Sequence, residues 1–168
     1  MVAYAERLAG GIDDFIDFVG RVTSWIALLL ALVMGANVLL RYGFSFGRIW
    51  AQELEWHLLV PLVLFGMSYA LRHGEHVRVD ILFATFSQRT KRLIELISAI
   101  IAMIFSLLVI WLSIPYVYQS WSIGEGTANP GGIDYRYVIK AVIPTGFGLL
   151  FLQSLSNAIR GVLELRSR

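Results

Sequence analysis

Charged residues divide this chain into long uncharged stretches separated by short polar segments. The nineteen residues Val22–Leu40 lie between Arg21 and Arg41 without a charge, and nineteen more lie between Lys140 and Arg160. As α-helices these stretches cover about 28 Å each, close to the hydrocarbon thickness of a bilayer. Lipid offers the backbone no hydrogen-bond partner, so such segments must be helical. The pattern predicts an all-α membrane protein with four transmembrane helices, over 22–40, 50–71, 88–121 and 138–160.

The second span has an unusual polar beginning. Only Leu58–Leu71 lacks ionisable groups, and about 21 Å of helix is too short to cross alone. We therefore extend the helix back to residue 50. Three ionisable side chains then occupy its first two turns, at headgroup level or against a partner protein: Glu53, Glu55 and His57.

Two segments outside the spans are apolar enough to lie along the membrane surface. Residues 1–20 repeat apolar positions at helical spacing, and residues 77–86 are rich in apolar side chains. Both are predicted to be short interfacial helices, although they could equally be loops packed on a larger partner. Ser87 is a candidate N-cap for the third helix. In the loop 122–137, Asn129-Pro130-Gly131-Gly132 predicts a tight turn.

Composition supports the membrane assignment. Hydrophobic residues make up 57% of the 168 and charged residues 15%, with a mean hydropathy of +0.68; soluble domains average roughly 45–50% and 25%. The net charge of +2 comes from basic residues beside apolar spans. These predict contact with anionic lipid headgroups rather than with nucleic acid. The chain has no cysteine, which excludes disulfides and thiolate metal sites.

The distribution of lysine and arginine predicts the orientation. Four spans place both termini and the middle loop on one side, which carries ten of these residues, whereas the other side carries four: Arg41, Arg48, Arg136 and Lys140. The positive-inside rule therefore places both termini in the cytoplasm. The first span is not expected to be a signal peptide, because its apolar run is long and no small-residue cleavage site follows.

The spans lack the chemistry of a transporter that works alone. Ionisable groups at mid-membrane are costly and persist for function, and the central parts of all four spans have none. A bis-histidine haem needs ligands on two facing helices, but His57 and His73 lie at opposite ends of one helix and the third and fourth helices have no histidine. No catalytic constellation is present, so we expect neither enzyme activity nor a cofactor.

Some polar and small residues carry local predictions. Glu53 and His57 share a helix face, with Glu55 opposite, and Arg41 could pair with either acid. Glu125 is either a solvated carboxylate or a docking contact for a soluble periplasmic partner. Isolated serines should hydrogen-bond their own helix backbone: Ser24, Ser68, Ser106 and Ser154. Two glycines of the fourth span should permit close helix packing: Gly146 and Gly148.

Several ordered motifs resemble one transporter family. They are Asn37-Val38-Leu39-Leu40-Arg41-Tyr42-Gly43-Phe44, Trp50-Ala51-Gln52-Glu53-Leu54-Glu55-Trp56-His57, Gly66, Ala70-Leu71-Arg72 and His76-Val77-Arg78-Val79-Asp80. Together they resemble the small membrane subunit, the DctQ-type small permease, of tripartite ATP-independent periplasmic (TRAP) transporters. The runs Trp121–Gly126, Pro130–Ile133 and Lys140–Pro144 resemble the branch labelled for mannitol or chloroaromatic compounds. The resemblance covers about residues 10–160.

This resemblance implies a partner system in the bacterial inner membrane. A large multi-span permease would hold the substrate and sodium sites, and a periplasmic substrate-binding protein would deliver an organic acid. The small subunit would brace the large one and help to dock the binding protein, with Glu125 as a docking candidate. Candidate subunit contacts are Arg41, Glu53, His57, Arg72, His76, Arg78 and Asp80. The alternative is a membrane anchor of a respiratory or redox complex.

Overall fold

The computed structural model describes residues 2–75 and 86–166. Within these ranges the chain forms four α-helices and no strand. The helices are α1 (Val2–Phe44), α2 (Ile49–Arg72), α3 (Gln88–Ser122) and α4 (Arg136–Arg166). Each is long and apolar enough to cross a bilayer, which confirms the predicted four-span membrane fold.

The fourth helix is the centre of the bundle. α4 packs against α1, α2 and α3, whereas α1 and α2 also pack against each other. The main contacts of α3 are with α4, and most of its large apolar side chains are exposed. We name the two ends of the bundle by what they contain. The termini end holds the start of α1 and the end of α4, and the loop end holds the loops 45–48 and 123–135.

Burial in this bundle is the reverse of that in a soluble protein. The most deeply buried side chains are mainly polar, among them Asp13, Gln153 and Ser156. The surface of α1 and α3 is instead covered with large apolar residues such as Trp25, Leu39 and Trp111, each about 70% exposed. Because lipid tails are as apolar as leucine, a membrane helix can turn these side chains outwards and use small and polar residues to join helices.

The sequence correctly predicted the start of α3 and one turn in the loop that follows it. Ser87 caps α3, and its hydroxyl accepts a hydrogen bond from the Thr90 amide at 3.3 Å. The amide of Gly132 donates to the Asn129 carbonyl at 3.0 Å, and Gly131 has φ +81°. This is the positive φ that the position after the proline requires in a type II turn, so both predictions are confirmed.

The serine prediction holds for three residues and is wrong for one. Ser24, Ser68 and Ser106 donate to backbone carbonyls three or four residues earlier in their own helices, at 2.7–2.8 Å. The buried Ser154 hydroxyl has no such bond, nor any other hydrogen-bond partner within the described part of the chain.

Glycine brings two pairs of helices close together. A Cβ on Gly146 would lie 2.7 Å from Leu64 Cβ and 3.1 Å from the Leu64 carbonyl oxygen, so α4 and α2 touch there. Gly20 similarly lies against the Tyr69 ring, where a Cβ would come within 2.0 Å. The prediction for Gly146 is confirmed. The one for Gly148 is wrong, because nothing lies within 4 Å of its Cβ position.

The N-terminal segment continues directly into the first span. α1 has 43 residues, about 64 Å of helix, roughly twice the hydrocarbon thickness. Residues 1–20 therefore form no separate helix, and whether they lie on the membrane surface stays a prediction. The predicted interfacial segment 77–86 lies outside the described residues except for Phe86.

Gly146→Ala should destabilise the bundle by about 1–2 kcal/mol, because overpacking against Leu64 outweighs the better helix propensity of alanine. Gly148→Ala is the matched control and should be neutral or slightly stabilising, since its Cβ meets open space. Thermal unfolding of the purified protein in detergent measures both. Equal unfolding temperatures for the two variants would contradict the close α2–α4 contact.

Candidate functional site

The termini end is held together by a buried carboxylate. Asp13 on α1 is 2% exposed. It accepts hydrogen bonds from Gln153 Nε2 at 3.1 Å, from Ser156 Oγ at 2.8 Å and from Arg160, all on α4. Arg72, at the end of α2, lies 3.6 Å from the same carboxylate. We call these five residues the Asp13 cluster. It joins three helices through one charge compensated by two arginines.

A second carboxylate extends this cluster towards solvent. Asp17, one turn further along α1, lies 3.8 Å from Arg72 Nε and 3.1 Å from His73 Nε2. Arg72 thus bridges two aspartates of α1 from the C-terminal end of α2. These ion pairs are partly exposed to solvent and are expected to contribute less to stability than the contacts of the buried Asp13.

At the loop end, a glutamate of α2 binds the loop between α3 and α4. Glu53 is 4% exposed. Its Oε1 accepts from Thr127 Oγ1 at 2.7 Å and from Asn129 Nδ2 at 2.9 Å, and its Oε2 accepts from the Ile133 amide at 2.7 Å. We call these four residues the Glu53 clamp. It fixes the loop over a carboxylate that comes 74 to 80 residues earlier in the chain.

The loop turns tightly around the Glu53 carboxylate. A Cβ on Gly132 would lie 2.5 Å from Glu53 Oε2, so any larger residue there would push the carboxylate away from its donors in the loop. Gly131 supplies the positive φ of the preceding turn. The Asn-Pro-Gly-Gly run therefore serves both the turn and the clamp.

Glu125 fastens the other end of the same loop. Its carboxylate pairs with Lys140 of α4, and its backbone carbonyl accepts from the Arg136 amide at 3.1 Å. The hydrogen bond from Lys140 is the main reason that the pKa of Glu125 lies below its usual value of 4.5. Lys140 also lies 4.0 Å from the centre of the Tyr116 ring on α3. Glu125 is therefore part of an internal joint between the loop and two helices.

The loop-end parts of α1 and α2 form the walls of an open polar groove. Asn37 Nδ2 donates to Glu55 Oε1 at 2.6 Å and to the Ala51 carbonyl at 3.0 Å. When the Gln52 amide oxygen is oriented towards Arg41, it accepts from both terminal guanidinium nitrogens, at 3.1 and 3.2 Å. These contacts border a groove of about 270 Å³ that opens at the bundle surface.

The structure separates the predicted site residues into two groups. Glu53, His57 and Arg41 lie at the loop end, whereas Arg72 lies about 28 Å along α2 from Glu53. The described residues show no ion pair between Arg41 and either predicted acid. Arg41 faces Gln52, Glu53 binds the loop and Glu55 binds Asn37. His57 Nδ1 lies 2.7 Å from the Glu53 carbonyl.

The roles of these residues as contacts to other subunits stay predictions. Three candidates lie outside the described residues: His76, Arg78 and Asp80. Sequence reasoning missed Asp13, Gln153 and Ser156 as a unit. The sequence did contain one indication of this cluster. Gln153 lies within the apolar fourth span, and a polar side chain there needs a hydrogen-bond partner.

Taken together, the fold and these clusters define a multi-pass membrane protein whose buried carboxylates are bound by its own side chains and backbone. Residues 30–164 match the family described as tripartite ATP-independent periplasmic transporters, DctQ component. The match covers most of the chain, and the chain belongs to this family. Its members are transporter components rather than enzymes. This assignment replaces the alternative of a redox-complex anchor.

Relatives from three bacteria share this assignment. The ectoine TRAP transporter small permease protein TeaB of Halomonas elongata is 23% identical, over 95% of this chain and 83% of that protein. The C4-dicarboxylate TRAP transporter small permease protein DctQ of Vibrio cholerae is 27% identical, over 87% of this chain and 76% of that protein. The DctQ protein of Pseudomonas aeruginosa is 25% identical, over 66% of this chain and 56% of that protein.

Asp13→Asn should destabilise the protein by about 2 kcal/mol, because the charged hydrogen bond from Arg160 and the ion pair with Arg72 are lost. Asp14→Asn is the matched control, since Asp14 is exposed on the next position of the same helix. Chemical or thermal unfolding in detergent gives the comparison. If Asp14→Asn were as damaging as Asp13→Asn, the Asp13 cluster would not be the joint described.

The contribution of Glu125 to stability should depend on pH in one direction. Its pKa is lowered in the folded state, so the stabilisation is fully present above pH 4.5 and is lost as pH falls through the lowered pKa. The difference in unfolding temperature between the wild type and Glu125→Gln should therefore be constant above pH 5 and shrink in more acidic buffer. A difference that grows on acidification would refute the Glu125–Lys140 pairing.

Proposed function

We propose that this chain is the small permease subunit of a TRAP-type secondary transporter. It braces the large permease subunit in the inner membrane and helps to dock the periplasmic substrate-binding protein. The observation that carries this proposal is the internal use of polar groups. Asp13, Glu53 and Glu125 are all engaged within the chain, so the carboxylates suited to hold a solute or an ion hold helices and a loop instead.

The transported solute and the coupling ion belong to the same proposal. We infer sodium-coupled uptake of an organic acid, as the resemblance of the sequence motifs implies. The printed names of the relatives mention ectoine and C4-dicarboxylates. Because these names differ between small subunits, the substrate is expected to be determined by the large subunit and the binding protein.

The large subunit would cover part of the apolar surface of the bundle. One face of α1 is suited to close contact with another membrane helix. Ala27, Ala31 and Gly35 are exposed at intervals of four residues, and small residues at this spacing let helix backbones approach in membranes. A Cβ on Gly35 meets nothing within 4 Å in this chain. A larger residue there should therefore leave the fold intact and disturb only the contact with a partner helix.

Gly35→Leu should reduce the amount of large permease that co-purifies with this chain, while leaving its own unfolding temperature nearly unchanged. Ser98→Leu is the matched control, because Ser98 is an exposed position on α3. Co-expression with the large permease and affinity purification through this chain measure the ratio of the two subunits. Failure of the wild-type chain to retain any large permease would disprove the subunit assignment.

A further inference from the structure

The loop 123–135 is fixed to the bundle at separate points. The Glu53 clamp binds residues 127, 129 and 133, and Glu125 binds Lys140. Glu53 is 4% exposed, so its carboxylate is closed to a partner protein and acts on the loop alone. A loop this firmly held loses little conformational entropy when it binds, and low ordering cost favours affinity.

Tyr135 has a conformation that this fixation explains. Its φ is +62°, a left-handed value that is unfavourable for a residue with a side chain. The clamp at Ile133 and the start of α4 at Arg136 hold it on both sides, and its carbonyl accepts from the Val138 amide at 2.9 Å. The ring is nevertheless 69% exposed. The strained backbone thus presents an aromatic side chain outwards at the loop end.

The surroundings of this loop point to an aqueous partner. Tyr118 and Trp121 at the end of α3 are exposed aromatic residues of the kind that lie at the membrane interface, and the loop begins beyond them. Residues 123–135 contain no lysine or arginine, so they lack the charge that attracts anionic headgroups. Asp134 is the exposed charge of the loop, because Glu125 is paired with Lys140.

We propose that the loop 123–135 is a preorganised recognition surface for the soluble binding protein, with Tyr135 as its main contact and Glu53 as its positioning residue. Exposed tyrosines on rigid supports are frequent energetic centres of protein interfaces. The opposing surface is expected to be neutral or weakly basic, to suit Asp134. This inference rests on the proposed function, and it assigns Glu53 to the loop rather than to the large subunit.

The test uses the whole membrane complex. This chain and the large permease are placed together in nanodiscs, and the affinity of the transporter's purified soluble binding protein is measured by biolayer interferometry. Tyr135→Ala should weaken binding by about thirtyfold, the loss expected for an aromatic hot spot of an interface. Tyr135→Phe keeps the ring and the backbone strain and should restore most of the affinity.

Glu53→Gln tests the positioning role. A glutamine has one acceptor oxygen and no charge, so it cannot accept from all three loop donors as the carboxylate does, and this variant should weaken binding about fivefold through a looser loop. Hydrogen exchange of the Ile133 amide should also accelerate. Glu55→Gln is the matched control on the same helix, because Glu55 binds Asn37 instead of the loop, and its affinity for the binding protein should equal that of the wild type.

A photo-reactive residue identifies the contact directly. Benzoylphenylalanine at position 135 should crosslink to the binding protein, whereas the same residue at position 4, where Tyr4 is 76% exposed at the termini end, should not. Wild-type affinity in both Tyr135→Ala and Glu53→Gln would overturn the inference. So would a loss of large permease from these variants, since the loop would then serve the large subunit. With either outcome, the proposed function still stands if the wild-type chain forms a complex with the large permease and the binding protein.

Discussion

The structure depends on one constraint, that a buried charge in a membrane bundle must be compensated from within the chain. An unpaired carboxylate away from water is costly, and the described part of the chain buries two carboxylates, those of Asp13 and Glu53. Each is surrounded by donors from distant parts of the sequence. The result is a bundle fastened at both ends by polar clusters, with an apolar exterior between them.

The same constraint connects the fold to the proposed role. At the termini end, Asp13 of α1 contacts α2 and α4 through Arg72, Gln153, Ser156 and Arg160. At the loop end, Glu53 holds the loop against α2 and leaves Tyr135 exposed. A bundle fixed in this way is suited to brace a moving neighbour, because its own helices are not free to rearrange. Its apolar surface is available to lipid and to a larger membrane subunit.

The spans and local signals were predictable because they depend on residues near one another in the chain. Uncharged runs located the helices, and Ser87 and the Asn-Pro-Gly-Gly run located a helix start and a turn. The clusters were not predictable, because they join residues as far apart as Asp13 and Gln153. Arg41 was predicted to be able to pair with Glu53 or Glu55, but Glu53 accepts hydrogen bonds from the loop and Glu55 accepts one from Asn37. The orientation in the membrane stays a prediction from the count of lysine and arginine residues.

The central claim is that this chain has no solute pathway of its own and acts through a companion. The most direct measurement is uptake of radiolabelled ectoine, C4-dicarboxylates and 2-oxo acids into sodium-gradient proteoliposomes. One set contains this chain alone, and the other contains it with the large permease and the loaded binding protein. We expect accumulation in the complete set and none above empty liposomes for the single chain. Accumulation driven by this chain by itself would show that it has a solute pathway of its own.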